Sequence, residues 1–166
     1  ILFVVVENCF ILDLNEKLPF QAGEFDTIIL SDVLEHTYRP EQIWVEVERI
    51  LSENGRLIMN VPFFYWLHER PHDYFRFSEF ALKHFAKIAG LEIISIETIG
   101  GSPEILADFS AKHLQFIPIL GNNLSLFIQF LAKIFIATKI GRKISTKTAQ
   151  VFPLGYFLVA EKPRKS

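Results

Sequence analysis

A chain of 166 residues, half of them hydrophobic and 17 of them Phe, with a net charge of -2, holds enough apolar material for one domain with a genuine core. Its single cysteine, Cys9, excludes an intrachain disulfide framework and reads as a small apolar residue in a reducing compartment, so a cytoplasmic location is expected. The charge is unevenly spread: residues 1–108 carry 18 acids against 8 Lys and Arg, and residues 109–166 carry 9 bases against one acid, Glu161. That polarity implies two surfaces with different partners, or two ends that neutralise each other in the fold.

The chain opens on ILFVVVEN, with no Met, no basic leader and no small-residue cleavage pattern, so a fragment or a processed chain is expected rather than a secretory precursor. FDTIILS (Phe25 to Ser31) is a short apolar run without clean alternation, which suits a strand covered on both faces. A helix follows. Pro40 suits its first position and Glu41 its first turn; Ile43, Val47, Ile50 and Leu51 recur at helical spacing, and Gly55 is placed to end it. RLIMNVP predicts a second buried strand, stopped by Pro62. A loop rich in aromatics and histidine runs to Phe77, and Ser78 caps the helix EFALKHFAKIA, which closes at Gly90. LEIISIETIG predicts a third strand, and FPLGYFLVAEKP the last one before a solvated basic tail.

Strand, helix, strand, helix, strand at these lengths predicts an α/β fold of βαβ units with a parallel sheet. Ligands in such sheets sit beyond the carboxyl ends of the strands. SDVLEH and NVPFFYWLHERPHDYFRF both fall there, so one cleft is expected, with His36 and His68 sharing it. Near the other end, LSLFIQFLAKIFIATKI (Leu124 to Ile140) is apolar nearly all round, with Ser125, Gln129 and Lys133 forming a thin polar stripe. It is short for a membrane span, which needs roughly 20 apolar residues. It is expected either to pack over the sheet or an oligomer partner, or to lie in a membrane surface. In the second case the peripheral contact runs from Leu124 to Lys147, with Lys139, Arg142 and Lys143 beside it. No nucleic-acid partner is expected, and the oligomeric state is left open.

The ordered set Asp13, Leu18-Pro19-Phe20, Phe25-Asp26, Leu34-Glu35-His36, Pro40, Gly55 and Val61-Pro62 resembles the C-terminal half of the class I S-adenosylmethionine-dependent methyltransferases, of the kind that includes the quinone-biosynthesis enzymes. The match covers roughly residues 10 to 100. HERPHDYFRFSEFALKHFAKIAGLEI is similar to a subgroup found with bacterial surface-polysaccharide genes. The resemblance implies a partial Rossmann-like doubly wound sheet, with residues 1–108 the C-terminal part of the methyltransferase domain. Residues 109–148 are then an apolar and basic helical insertion, and 149–166 an antiparallel last strand, placed between the second and third, with its tail. It also implies S-adenosyl-L-methionine as cofactor and a small-molecule, glycan or lipid-linked acceptor methylated on oxygen or nitrogen. The alternative is a non-catalytic remnant acting as a binding or membrane-surface module.

By the same resemblance Asp13 approaches the adenine amino group, with a surface turn acid as the alternative, and Leu14 lies beside the adenine. Ser31, Asp32 and Glu35 line the methionine end and the substrate mouth. His68 and Tyr74 touch substrate, and Arg76 is expected to pair with Asp73 or Glu69. Glu35 and His36 admit three readings: orientation of the loop or cofactor contact, a general base at His36, and, as the lesser alternative, a divalent cation. That cation would be held with Asp32 and a later histidine, and its oxygen-rich ligands would favour magnesium or manganese. The family's glycine-rich loop and ribose-binding acid have no counterpart here; Gly23 is the first glycine. The chain alone is therefore expected to bind the cofactor weakly and to leave a sheet edge open to pairing by ILFVVV.

Overall fold

The computed structural model describes residues 2–5 and 8–164, with side chains from residue 12 onward. Of the segments named above, Ile1, Val6 and Glu7 of ILFVVVEN and Lys165 and Ser166 of the basic tail lie outside the described residues. The chain forms two compact units. The first comprises Ile1–Pro62, Trp66–Glu97 and Phe157–Ser166, the second Phe63–Tyr65 and Thr98–Tyr156.

Strands β1 (Leu2–Val5) and β2 (Asn8–Ile11) pair with each other as an antiparallel ribbon, Leu2 opposite Ile11. The main sheet is built from β3 (Phe25–Ser31), β4 (Leu51–Pro62), β5 (Glu92–Ile99) and β6 (Gly155–Glu161), in the order β3-β4-β6-β5. β3 and β4 run parallel, with Ile28 opposite Leu57 and Leu30 opposite Met59. The last strand is antiparallel to β4: Lys162 N–H donates to the Gly55 carbonyl, and eight residues further along the chain Phe63 N–H donates to the Leu154 carbonyl. Its place between β4 and β5 is the expected one.

Between the strands run α1 (Pro40–Ile50) and α2 (Glu79–Ala89), which pack on each other through Trp44 and Phe85. Ile43, Val47, Ile50 and Leu51 are all buried, as their spacing predicts, and Ser78 caps α2 by accepting the Ala81 N–H. Gly90, at a φ of 77°, closes α2 in the left-handed conformation that glycine adopts at least cost.

Two expectations are corrected. α1 ends at Ile50 rather than near Gly55, because Leu51 turns extended into the core and the Lys162 ammonium takes the carbonyls of Glu48 and Leu51 at 2.7 and 2.9 Å. Gly55 sits inside β4, just after the left-handed Asn54. β3 is covered on one face only: Ile28 and Leu30 point into the core, whereas Ile29 is 61% exposed. Its backbone also forms one edge of the sheet among the described residues.

The second unit holds α3 (Ser102–Leu114), α4 (Gly121–Ala137) and α5 (Lys139–Ala149). The apolar run expected as one element from Leu124 to Ile140 is broken at Thr138, whose hydroxyl accepts the Gly141 N–H and starts α5 at 95° to α4. α4 packs against α3 and α5. No single helix is long and apolar enough to cross a membrane among the described residues; the bent pair α4 and α5 reaches that length and composition only together.

Candidate functional site

β3 ends at Ser31, and the next residue, Asp32, takes a left-handed φ of 50° while its N–H still bonds the Asn60 carbonyl of β4. Asp tolerates that conformation better than most side chains. The turn swings the chain out of the sheet into a short 3-10 turn, Leu34–His36, anchored by the buried Leu34 and by the Thr37 hydroxyl donating to the Leu34 carbonyl at 2.8 Å. The loop after β4 folds back on this turn: the N–H groups of Tyr74 and Phe75 both donate to the Glu35 carbonyl, at 2.9 and 3.3 Å. Asp73 and Arg76 form the expected pair and brace the loop. Arg76 also donates to the Trp66 carbonyl, and the Asp73 carboxylate accepts the His68 N–H. Arg76 holds the Asp73 carboxyl far below the usual carboxylate range.

The result is a cavity of about 800 Å³ in the first unit. Its wall carries Asp13, Asp32, His36, His68 and Tyr74 of the residues singled out in the sequence, together with Asn15 and Tyr38, which the sequence reading missed. The missed pair forms a brace: the Asp13 carboxylate accepts from the Asn15 backbone and side-chain N–H groups at 2.9 Å, and Asn15 Oδ1 accepts the Tyr38 N–H at 3.0 Å. The tyrosine follows directly on LEHT, and that adjacency was its only signal. Leu14 does not join the wall; it is buried in the core between Asp13 and Asn15. Ser31 is exposed at the end of β3, also outside the lining.

Glu35 lies behind the two histidines and is fully buried, and neither of its carboxylate oxygens has a hydrogen-bond partner among the described residues. Oε1 stands 3.7 Å from Nε2 of His36 and 3.7 Å from Nε2 of His68, whose rings meet edge to face with centroids 4.7 Å apart. Each imidazole has its other nitrogen engaged: His36 Nδ1 with the His72 carbonyl at 2.7 Å, His68 Nδ1 beside the Asp73 carboxylate at 3.3 Å. A carbonyl only accepts, so His36 Nδ1 carries a proton, and Nε2 is the ring nitrogen left for chemistry at the cavity. Burial pushes the Glu35 carboxyl up to about 7, and the nearby Asp32 adds to the rise while His36 opposes it.

At 3.7 Å the Glu35 carboxylate is too far from either ring for a direct hydrogen bond and near enough to hold a cation together with both. Their donor atoms lie within 4.8 Å of one another, and Asp32 stands outside that cluster. The donor set is thus one carboxylate and two imidazoles rather than the oxygen-rich set expected. It suits a transition metal such as manganese or zinc better than magnesium. Outward engagement of the second ring nitrogen is what metal-binding histidines need. For S-adenosylmethionine the fit is partial. Asp13 keeps an ionised carboxylate at the cavity wall, its hydrogen bonds from Asn15 holding the carboxyl below its usual range, and that suits an adenine amino group. Among the described residues, the cavity wall holds no Lys or Arg for the carboxylate end.

Residues 7–59 match the family model described as a methyltransferase domain. No curated protein matches the chain. Among solved structures, a methyltransferase described as SAM-dependent from Methanosarcina mazei superposes with a TM-score of 0.52 at 14% identity, covering 93% of this chain and 66% of that one. A second, from Archaeoglobus fulgidus, gives 0.51 at 15% identity, covering 86% of this chain and 62% of that one. The (4+2)-cyclase SpnF gives 0.55 at 19% identity, with 93% and 55% covered. The chain therefore spans between 55% and 66% of the length of these structures. At such identities the likeness speaks for the fold, and the cyclase among them shows that one fold serves more than one reaction. Residues 7–59 match the methyltransferase-domain model, and the chain has a partial Rossmann-like α/β fold like that of these structures.

Proposed function

We propose that the protein transfers the sulfonium methyl of S-adenosylmethionine to an oxygen or nitrogen of a small-molecule, glycan or lipid-linked acceptor held in the cavity around His36 and His68. The observation that carries this reading is the buried Glu35 carboxylate, without a hydrogen-bond partner among the described residues, set 3.7 Å from the Nε2 atoms of His36 and His68. The cofactor supplies an electrophilic methyl; this chain's residues supply the proton acceptor. In-line displacement asks an enzyme chiefly to align its partners and to place one base. His36 Nε2 takes the acceptor's proton, the His72 carbonyl fixes the ring through Nδ1, and Glu35 stabilises the imidazolium that results. Tyr74 and His68 border the same cavity and orient the acceptor, while Asp13 receives the adenine amino group.

A second reading rests on the same three donors: Glu35, His36 and His68 would hold a divalent transition-metal ion, which would supply the Lewis acidity that lowers an acceptor hydroxyl's pKa. One experiment separates the two and tests both. Labelled methyl transfer to a panel of hydroxyl and amine acceptors is measured with the full-length protein, for wild type and His36→Gln, with and without a chelator. For base catalysis the variant loses about 10²–10⁴-fold in kcat, and the chelator changes nothing. Loss on chelation that manganese restores supports the metal reading. Full activity in His36→Gln overturns both, and absence of transfer to every acceptor favours the binding-module alternative.

A further inference from the structure

The second unit inverts the usual arrangement of an amphipathic helix. A surface helix normally turns its large apolar side chains inward. In α4 the buried positions are the small residues Gly121 and Ser125, continued at helical spacing by the half-buried Ile128, Ala132 and Ile136. Its bulk points outward: Leu126 is 65% exposed, Phe127 57%, Phe130 59% and Ile134 51%. The turn that leads into α4 is of the same kind. Phe116 is 76% exposed, and Ile119, held at a left-handed φ of 68° that a β-branched residue rarely adopts, is 96% exposed. An apolar groove of about 500 Å³ among α3, α4 and α5, lined by Leu106, Leu131 and Phe135, extends this surface. An unpartnered apolar surface of this extent marks an interaction site.

The charges around it say what it meets. Between His113 and Ala132 there is no Lys, Arg, Asp or Glu at all. Beyond that stretch come Lys133, Lys139, Arg142, Lys143 and Lys147, and between Asp108 and Glu161 there is no acid. On α5 the four bases at 139, 142, 143 and 147 recur at helical spacing on the exposed side, opposite the buried Gly141 and Ala149. A second copy of the chain is a poor occupant, because a two-fold contact through this surface sets each basic cluster against its own image. An anionic lipid surface answers both features, taking aromatic and aliphatic side chains below the headgroups and pairing the bases with phosphates. α4 and α5, bent by 95°, do not make one straight span, which suits a helix lying in the interface.

We propose that α4, the turn before it and the basic face of α5 form a docking surface for an anionic phospholipid bilayer. Phe127 and Phe130 enter the interface, and Lys139, Arg142, Lys143 and Lys147 read its charge. This stands independently of the cavity chemistry.

The test is partition of the chain onto vesicles of pure phosphatidylcholine and of phosphatidylcholine mixed with phosphatidylglycerol, with monomer state followed by sedimentation. A Phe127→Trp variant reports depth by its emission. The expected results are binding to the mixed vesicles that weakens with salt, and a blue shift of the new tryptophan only when they are present. Replacing the four bases of α5 with Gln should cut that partition by about a thousandfold, taking roughly a factor of five to ten for each charge. Three outcomes overturn the proposal. One is a folded monomer that ignores anionic vesicles; another is binding that does not distinguish the two compositions. The third is a tryptophan already blue-shifted without lipid in a sedimenting dimer, which makes a second copy the occupant.

Discussion

Glu35 is the residue on which most of the candidate site's behaviour turns, because its carboxylate is fully buried and its oxygens have no hydrogen-bond partner among the described residues. Its folded pKa, about 7, lies above the 4.5 ordinary for a glutamate carboxyl. Between those values the native state holds a proton that the unfolded chain has lost, so stability falls as pH rises through that window and levels off above it. A shift of this size corresponds to roughly 3 kcal/mol. Urea midpoints at pH 5 and pH 8, in chelator so that no ion takes the site, should therefore be lower at the higher pH for the wild type. Glu35→Gln should lose most of that difference, and a wild type that is flat or steadier at pH 8 would sink the assignment. The sequence showed Glu35 and His36 at the mouth of a cleft and His68 near them, since both segments follow the carboxyl ends of adjacent parallel strands. It did not show the carboxylate sealed beneath the rings. That depends on the Trp66 to Arg76 loop closing over it, through Tyr74 N–H and the Asp73–Arg76 brace, and no local pattern encodes the closure.

Elements with a strong local rhythm were legible, and those decided by distant contacts were not. The spacing of Ile43, Val47 and Ile50 gave α1, and Ser78 with Gly90 bounded α2. The end of α1 was misplaced because Gly55 imitates a helix stop, whereas the actual one is Lys162, from the far end of the chain. Expected only as the end of the last-strand segment FPLGYFLVAEKP, this lysine is 9% exposed and carries its charge onto the last carbonyls of the helix and the Glu48 carboxylate. A cation there completes orphan acceptors and opposes the helix dipole. Lys162→Met keeps the buried stem and removes the donor, so it should cost about 2–3 kcal/mol in equilibrium unfolding. A change within a few tenths of a kcal/mol would mean that water takes the carbonyls just as well. α3 went unread although Pro103 at its start and Glu104, which accepts the Gly101 N–H and the Ser145 hydroxyl, are ordinary opening signals. Two glycines ahead of it and a weak apolar rhythm hid the helix.

Across the whole chain, the strand order β3-β4-β6-β5 with its antiparallel β6 follows from the family resemblance, and the apolar insertion before β6 follows from composition. What neither supplied was the division into two units, because the second gathers Phe63–Tyr65 with Thr98–Tyr156 across a long sequence gap. The cofactor site is the feature that tests the molecule as a whole. Asp13 offers an ionised carboxylate, and Asp32 and His36 border the same cavity. By the family resemblance, the glycine-rich turn after the first strand and the ribose-binding acid have no counterpart in the sequence, whose first glycine is Gly23. Each missing charge-assisted contact is worth on the order of 1.5–3 kcal/mol. Three such losses remove at least about a thousandfold in affinity, at roughly 1.4 kcal/mol for each factor of ten. Calorimetric titration of S-adenosylmethionine into this chain should accordingly show binding weaker than the micromolar range, and Asp13→Asn should abolish what remains. Micromolar binding by the chain alone would mean that the cavity around Asp13, His36 and His68 is a complete cofactor site, and the adenine-only assignment would have to be given up.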